Sequence, residues 1–253
     1  MKITIAQIFP KLSQKEKNIA YHERVILKSQ ADVVVFPELS LSGYLLMDRV
    51  YDDAYSVEEL EVFKTLSQEK DIVLGVPLKD EHRVFNCAVY FSKGEIKHIH
   101  HKNNLPNYGM FEEARFFFRG SGLSSFDTEF GKACMVVCED LWSSKNIDTI
   151  CEIKPDILYV IANSPARGFT DSGLDIQTKW RGILKTTALL SGANVIFVNR
   201  VGFEDGLGFW GGSMVVGADG LLKNSLELFE EKTEPIMIER NLSEMQKYML
   251  RNG

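Results

Sequence analysis

The chain has 253 residues, a formal net charge of −6, 45% hydrophobic residues and 25% charged residues. These values are typical of a globular protein with a full core, so they exclude a disordered or fibrous chain. The acidic balance excludes nucleic acid as the main partner. No apolar run approaches the roughly 20 residues of a membrane-spanning helix, and the N-terminus has no signal-peptide pattern. We therefore expect one cytoplasmic domain over residues 1–253.

Short apolar runs alternate with longer segments of helical spacing in the first half of the chain. The periodicity predicts strands at residues 2–8, 32–36 and 72–76, with helices at residues 13–29 and 57–70. Ser13 is the expected cap of the first helix. A hairpin is predicted around Ser-Lys-Gly at 92–94, with its two strands at residues 84–91 and 95–101.

The second half continues the alternation. It predicts strands at residues 132–137, 157–161 and 195–199, with a helix at 174–191. Two further short strands, 213–216 and 221–222, flank an Ala-Asp-Gly turn, and residues 241–249 have the spacing of a closing helix. The pattern predicts the α/β class, but by itself it allows a three-layer doubly wound sheet as well as a sandwich.

Three predicted strands end in a residue with reactive chemistry: Glu38, Lys102 and Cys138. Loops at the carboxyl ends of strands commonly carry function, so the three side chains can converge on one pocket. A thiol needs a base before it attacks, and Glu38 can take that proton. Lys102 can stabilise an oxyanion. The trio therefore predicts acyl transfer from an amide or nitrile, although each residue alone also fits an unremarkable structural role.

Cysteines and histidines elsewhere give weaker signals. The four cysteines form no CxxC pair, so we expect no disulfide framework. His98 and His100 share a face of a predicted strand, which is one way to begin a metal site. No carboxylate or cysteine completes that set nearby. We therefore predict neither a metal nor a cofactor.

Several motifs occur in a fixed order. The first three are Phe-Pro-Glu-Leu at 36–39, Lys102 followed by Leu-Pro-Asn-Tyr-Gly at 105–109, and Val-Cys-Glu-Asp-Leu-Trp at 137–142. Glu38 and Lys102 are 64 residues apart, and Lys102 and Cys138 are 36 residues apart. Asn-Ser-Pro at 163–165 and Gly-Gly-Ser at 211–213 follow. Over nearly its whole length the sequence resembles the nitrilase, or carbon–nitrogen hydrolase, superfamily. The resemblance implies a four-layer α-β-β-α sandwich and a homodimer or larger homo-oligomer.

Within that superfamily the sequence is most similar to the glutaminase domain of glutamine-dependent NAD synthetase. The similarity is carried by residues 105–117 and 138–142, but no Ser-Gly-Gly-x-Asp-Ser loop of a synthetase domain follows. We therefore expect a stand-alone amidase that cleaves a small linear amide or N-carbamoyl compound through a cysteine thioester. The alternative is an ammonia-supplying glutaminase subunit or binding module that is active only with a separate synthetase.

The resemblance also implies a role for individual residues. Glu38 matches the base, Lys102 the oxyanion stabiliser and Cys138 the nucleophile, while Glu113 matches a supporting carboxylate. Glu112 is the alternative to Glu113. Three further positions match residues that contact the glutamine substrate: Tyr108, Glu139 and Ser164.

Overall fold

In the computed structural model, which describes residues 1–171 and 173–239, the first half of the chain supplies five strands of one sheet and three helices. Its strands, in chain order, are β1 (Lys2–Gln7), β2 (Val33–Val35), β3 (Asp71–Asp80), β4 (Arg83–Ser92) and β5 (Glu95–His101). Its helices are α1 (Lys15–Lys28), α2 (Val50–Asp53) and α3 (Glu61–Leu66), with short 3-10 turns at Met47–Arg49 and Glu58–Leu60.

The second half repeats the arrangement. Its helices are α4 (Glu113–Phe116), α5 (Ser144–Ile153) and α6 (Asp175–Ser191), with a 3-10 turn at Cys138–Trp142. Its strands are β6 (Ser125–Thr128), β7 (Gly131–Val137), β8 (Ile157–Ala162), β9 (Phe169–Thr170), β10 (Gly173–Leu174), β11 (Asn194–Asn199), β12 (Val201–Glu204), β13 (Leu207–Trp210), β14 (Met214–Val216), β15 (Leu222–Ser225) and β16 (Lys232–Met237).

Twelve of these strands form two six-stranded sheets. The strand orders are β16-β1-β2-β3-β4-β5 and β15-β14-β11-β8-β7-β6. Each sheet has three parallel strands, β1–β3 in the first and β7, β8 and β11 in the second, and antiparallel strands on the outside. Because parallel strands end at the same edge, each sheet gathers its functional loops on one side.

The two sheets pack face to face between two layers of helices. Ile3 and Ile5 of β1 and Met135 and Val137 of β7 belong to one hydrophobic core between the sheets. The opposite face of the first sheet packs against α1 and α3, and that of the second against α5 and α6. The predicted four-layer α-β-β-α sandwich is confirmed, and the three-layer alternative is wrong.

Several boundaries differ from the sequence prediction. Residues 57–70 do not form one helix, because α3 ends at Leu66 and the Ser67 hydroxyl bonds the Lys64 carbonyl oxygen. Ser13 does not cap α1: it has a φ of 56°, and its hydroxyl donates to Asp53 instead. The hairpin at 92–94 is confirmed, with Lys93 and Gly94 both at positive φ as a type I′ turn requires.

The remaining predictions concern the C-terminal helix and membrane-spanning segments. The closing helix predicted at residues 241–249 lies outside the described residues. Within residues 1–171 and 173–239, no helix has the length and apolar character to span a membrane.

Candidate active site

The ends of three strands bring the predicted reactive residues together. Lys102, directly after β5, donates from Nζ to Glu38 Oε1 at 2.7 Å and to Glu113 Oε1 at 2.8 Å. The three side chains are buried. Cys138 follows β7, and the charges of Glu38, Lys102 and Glu113 all act on its thiol. The structure therefore places all four predicted catalytic residues in one electrostatic cluster.

Glu38 is held by donors from both sheets. Its Oε1 also accepts Asn86 Nδ2–H at 2.7 Å from β4, and its Oε2 accepts the backbone N–H of Asn163 at 2.7 Å, after β8. With Lys102, three donors fix the orientation of one carboxylate. The sequence analysis missed Asn86. A signal existed, because Asn86 is a polar residue inside the apolar run Val-Phe-Asn-Cys-Ala-Val at 84–89. Burying a carboxamide is costly unless it forms hydrogen bonds.

Glu113, and not Glu112, is the second carboxylate at Lys102. Glu113 is buried and also accepts the Tyr44 hydroxyl at 2.6 Å. The Glu112 side chain is 54% exposed and lies 3.7 Å from Arg115. Burial raises the pKa of Glu113 to about 7, Lys102 opposes that rise and the charge of Glu38 adds to it. Two carboxylates thus share one ammonium, and one of them can hold a proton near neutral pH.

Cys138 is the first residue of the 3-10 turn that directly follows β7, and its backbone is strained. Its φ is 46°, a left-handed conformation that costs a non-glycine residue about 1–2 kcal/mol. Such strain is characteristic of functional turns, where it aims a side chain away from the sheet. Burial and the charge of Glu38 raise the pKa of the thiol, while Lys102 lowers it. The net shift favours the neutral thiol, so attack on a carbonyl needs a base at that moment.

A match to a known family covers nearly the whole chain. The family model for carbon–nitrogen hydrolases matches residues 2–248. The chain belongs to the carbon–nitrogen hydrolase family.

Two relatives of this carbon–nitrogen hydrolase show what the chain is similar to. Glutamine-dependent NAD(+) synthetase of Thermotoga maritima is 30% identical over 252 residues, which cover 96% of the chain and 42% of the synthetase. A probable nitrilase of Schizosaccharomyces pombe is 27% identical over 248 residues, covering 92% of the chain and 86% of that protein. The chain spans about two-fifths of the length of the NAD synthetases that it matches.

The structural comparison supports the fold. A carbon–nitrogen hydrolase from Helicobacter pylori G27 superposes with a TM-score of 0.89 at 22% identity. The superposition covers 100% of this chain and 95% of the other. At that identity it speaks for the architecture alone.

Two of the predicted substrate-contact residues of this carbon–nitrogen hydrolase form a pair beside the thiol. The Tyr108 hydroxyl lies 3.0 Å from Glu139 Oε1 and 3.1 Å from Oε2. Burial raises the pKa of Glu139, whereas the Tyr108 hydrogen bond and the charges of Lys102 and Arg167 lower it. Arg167 is exposed and lies over the Phe111 ring, 5.4 Å from its centroid. The Glu139 carboxylate and the Arg167 guanidinium therefore lie within electrostatic range of each other, and the carboxylate also acts on the Cys138 thiol.

Ser164, the third predicted contact residue, is deeply buried. Its Oγ accepts the indole N–H of Trp180 at 2.9 Å and that of Trp210 at 3.1 Å. Its backbone N–H donates to Asn199 Oδ1 at 2.8 Å. Both lone pairs of the hydroxyl are therefore engaged, and only its hydrogen is left to donate. A substrate contact by Ser164 stays a prediction.

The histidines near Lys102 have separate environments. His100 Nε2 lies 2.8 Å from Asp140 Oδ2, while the His98 ring stacks on Phe126 with centroids 4.5 Å apart. In the part of the chain that the structure describes, no three or more His, Cys, Asp or Glu side chains group as a metal site would require.

Proposed function

We propose that this protein is an amidase that hydrolyses a small linear amide or an N-carbamoyl compound through a thioester on Cys138. The observation that carries the proposal is the buried Lys102 ammonium, which contacts Glu38 and Glu113 and acts on the Cys138 thiol. A base, a fixed cation and a nucleophile are the three groups that this chemistry needs. Membership of the carbon–nitrogen hydrolase family supports the reaction class.

In the first half of the reaction Cys138 is acylated. Glu38 takes the thiol proton while sulfur attacks the carbonyl carbon, and the Lys102 ammonium stabilises the oxyanion. When the carbon–nitrogen bond breaks, protonated Glu38 returns the proton to the leaving nitrogen. Ammonia or an amine departs, and the acyl group stays on sulfur. Glu113 keeps Lys102 in place through its hydrogen bond.

In the second half water cleaves the thioester. The water attacks the thioester carbon while Glu38, now unprotonated, takes a proton from it. Collapse of the second oxyanion breaks the carbon–sulfur bond and releases a carboxylic acid, and protonated Glu38 returns the proton to the Cys138 thiolate. With an N-carbamoyl substrate the released acid is a carbamic acid, which loses carbon dioxide.

The pair formed by Glu139 and Tyr108 supports a substrate that carries an ammonium group. A carboxylate beside the nucleophile attracts a cation, and the exposed Arg167 within its range attracts an anion. An amino-acid ω-amide such as glutamine carries both groups, whereas a simple aliphatic amide carries neither. The glutamine-dependent synthetases among the relatives point the same way.

A second candidate function is ammonia supply to a separate synthetase. It is favoured by one observation: glutamine-dependent NAD synthetases are 27% and 30% identical to this chain over 91% and 96% of its length. In that role the domain hydrolyses glutamine only when a synthetase partner is bound. Assembly into a homodimer or larger homo-oligomer stays a prediction under both candidates.

The test is ammonia release by the purified protein from a panel of ω-amides, simple amides, nitriles and N-carbamoyl amines, with Cys138→Ala as the control. We expect release from at least one amide or carbamoyl compound, and none by the variant. Release from glutamine that begins only after a synthetase is added would favour the second candidate. Undiminished hydrolysis by Cys138→Ala would reject the mechanism.

A further inference from the structure

One buried carboxylate, that of Asp140, is surrounded by four nitrogen atoms. Its Oδ1 accepts the backbone N–H groups of Asn103 at 2.9 Å and Asn104 at 2.8 Å. Its Oδ2 accepts the backbone N–H of Val137 at 3.0 Å and lies 2.8 Å from His100 Nε2. The side chain is fully buried, so these contacts replace all of its hydration.

The four donors come from two segments that carry the reactive groups. His100, Asn103 and Asn104 lie on either side of Lys102, and Val137 directly precedes Cys138. These segments belong to different sheets, since β5 is an edge strand of the first sheet and β7 lies in the second. No ladder of backbone hydrogen bonds can therefore set the distance between Lys102 and Cys138, whereas the Asp140 carboxylate bonds both segments directly.

The positions that Asp140 holds need such a constraint. Cys138 has a positive φ, and a strained conformation persists only where the surroundings over-determine it. Displacement of a reacting group by about 1 Å can lower a rate by about 100-fold. An anchor that fixes the backbone immediately before the nucleophile and around the oxyanion-stabilising lysine meets both needs.

We propose that Asp140 is a positioning residue, which fixes the Lys102 ammonium relative to the Cys138 thiol across the two sheets. The inference rests on the roles proposed above for Lys102 and Cys138. Asp140→Asn keeps the shape but offers one acceptor oxygen and an NH₂ group. The NH₂ group then faces two donors, so one of the two segments is released.

The sign of the effect separates positioning from simple charge. Removing a negative charge near Cys138 makes its thiolate easier to form, so a purely electrostatic role predicts faster alkylation in Asp140→Asn. Loss of the Lys102 position removes the cation that stabilises the thiolate. Positioning therefore predicts slower alkylation, the opposite direction.

The experiment measures the rate of Cys138 alkylation by iodoacetamide from neutral to alkaline pH, with the labelled peptide identified by mass spectrometry. We expect Asp140→Asn to react about 10-fold more slowly than the unmodified protein near neutral pH, where the small thiolate fraction limits the rate. On the amide that the panel identifies, kcat should fall about 10- to 100-fold with a much smaller change in KM. A rate equal to or above that of the unmodified protein would overturn the proposal.

The matched control is Asp71→Asn. Asp71 is a second buried carboxylate, which accepts the Tyr90 hydroxyl at 2.5 Å at the opposite end of the first sheet. We expect it to lower the melting temperature and leave the alkylation rate unchanged. If Asp140→Asn does not fold, His100→Ala tests the proposal instead, because it removes one donor to Asp140 and keeps the carboxylate. Slower alkylation of Cys138 in His100→Ala supports the proposal, and an unchanged rate overturns it. Alkylation needs no turnover, so it tests Asp140 even if the proposed amidase activity fails.

Discussion

In the described residues, the core between the two sheets has polar groups at both ends, and the proposed catalytic residues lie at one of them. At the end formed by Asp71, Tyr90 and Tyr159, here called the tyrosine end, Tyr90 donates to Asp71 at 2.5 Å. Burial raises the pKa of Asp71, and the nearby cation Lys93 is 62% exposed. At the end formed by Glu38, Lys102 and Cys138, here called the site end, the cation is fully buried and a thiol lies beside it.

A buried polar network and the proposed catalytic cluster share several properties. Both ends bury a carboxylate and raise the pKa of an acid, Asp71 at one and Glu113 at the other. Burial and a shifted pKa are therefore not sufficient signs of function. The site end adds a cation shared by two acids and a thiol on a strained turn.

The largest expected effect is the loss of the nucleophile. Cys138→Ala should lower amide turnover by at least about 1,000-fold, because no other group can form the thioester. Cys134→Ala, a change to a fully buried thiol four residues earlier on β7, should leave kcat unchanged. The measurement is ammonia release by both variants, and equal losses would break the distinction between a buried and a reactive thiol.

Removing the buried cation should cost both stability and activity. Lys102→Met leaves Glu38 and Glu113 buried without their counter-ion, which costs about 3–5 kcal/mol of unfolding free energy. Tyr90→Phe at the tyrosine end removes the hydroxyl that donates to Asp71. We expect it to lower the unfolding free energy by about 1–3 kcal/mol and to leave turnover unchanged. Urea unfolding and ammonia release test the pair, and a Tyr90→Phe variant that loses turnover would contradict the contrast.

The pH dependence of stability should reveal Glu113. Its pKa is raised from 4.5 to about 7, so the folded protein binds more protons than the unfolded chain between those values. The stability contributed by this group therefore falls as pH rises through that window, by up to about 3 kcal/mol. Glu113→Gln should flatten the decline, and Glu112→Gln, on an exposed side chain, should not. If urea unfolding gives the same dependence of unfolding free energy on pH for all three proteins, the raised pKa of Glu113 is contradicted.

The smallest expected effect is at the Glu139 pair. Tyr108→Phe removes one hydrogen bond to Glu139 and should raise KM for an ammonium-bearing amide by no more than about 10-fold, with kcat little changed. A simple aliphatic amide should show no change. Steady-state kinetics with both amides test this, and an equal rise in KM for both would argue against recognition of an ammonium group.

Much of the site could be predicted from the sequence, because its residues follow strand ends with family motifs around them. Glu38, Lys102 and Glu113 were placed from those motifs, and the structure brings them into contact. The contacts that hold them could not be predicted. Asp140 lies next to Glu139, and the sequence alone does not indicate that its carboxylate bonds residues 36 and 37 positions earlier. Such long-range bonds depend on how the two sheets pack.

For the fold, apolar periodicity located the central strands but not the layering. Residues 32–36 and 157–161 have the continuous apolar runs of strands covered on both faces, which is where β2 and β8 lie. Periodicity could not choose between three and four layers, since both bury such strands. The short outer strands β6, β9, β10, β12, β13 and β16 were missed, because their residues are mostly polar or few.

The central claim is most directly tested by trapping the acyl group on the protein. The amide that supports turnover is mixed with the protein, quenched in acid and digested, and the peptide containing Cys138 is examined by mass spectrometry. We predict the mass of the acyl half of the substrate on Cys138, and its absence from Cys138→Ala. An acyl group on another residue, or turnover by Cys138→Ala at the full rate, would contradict the mechanism.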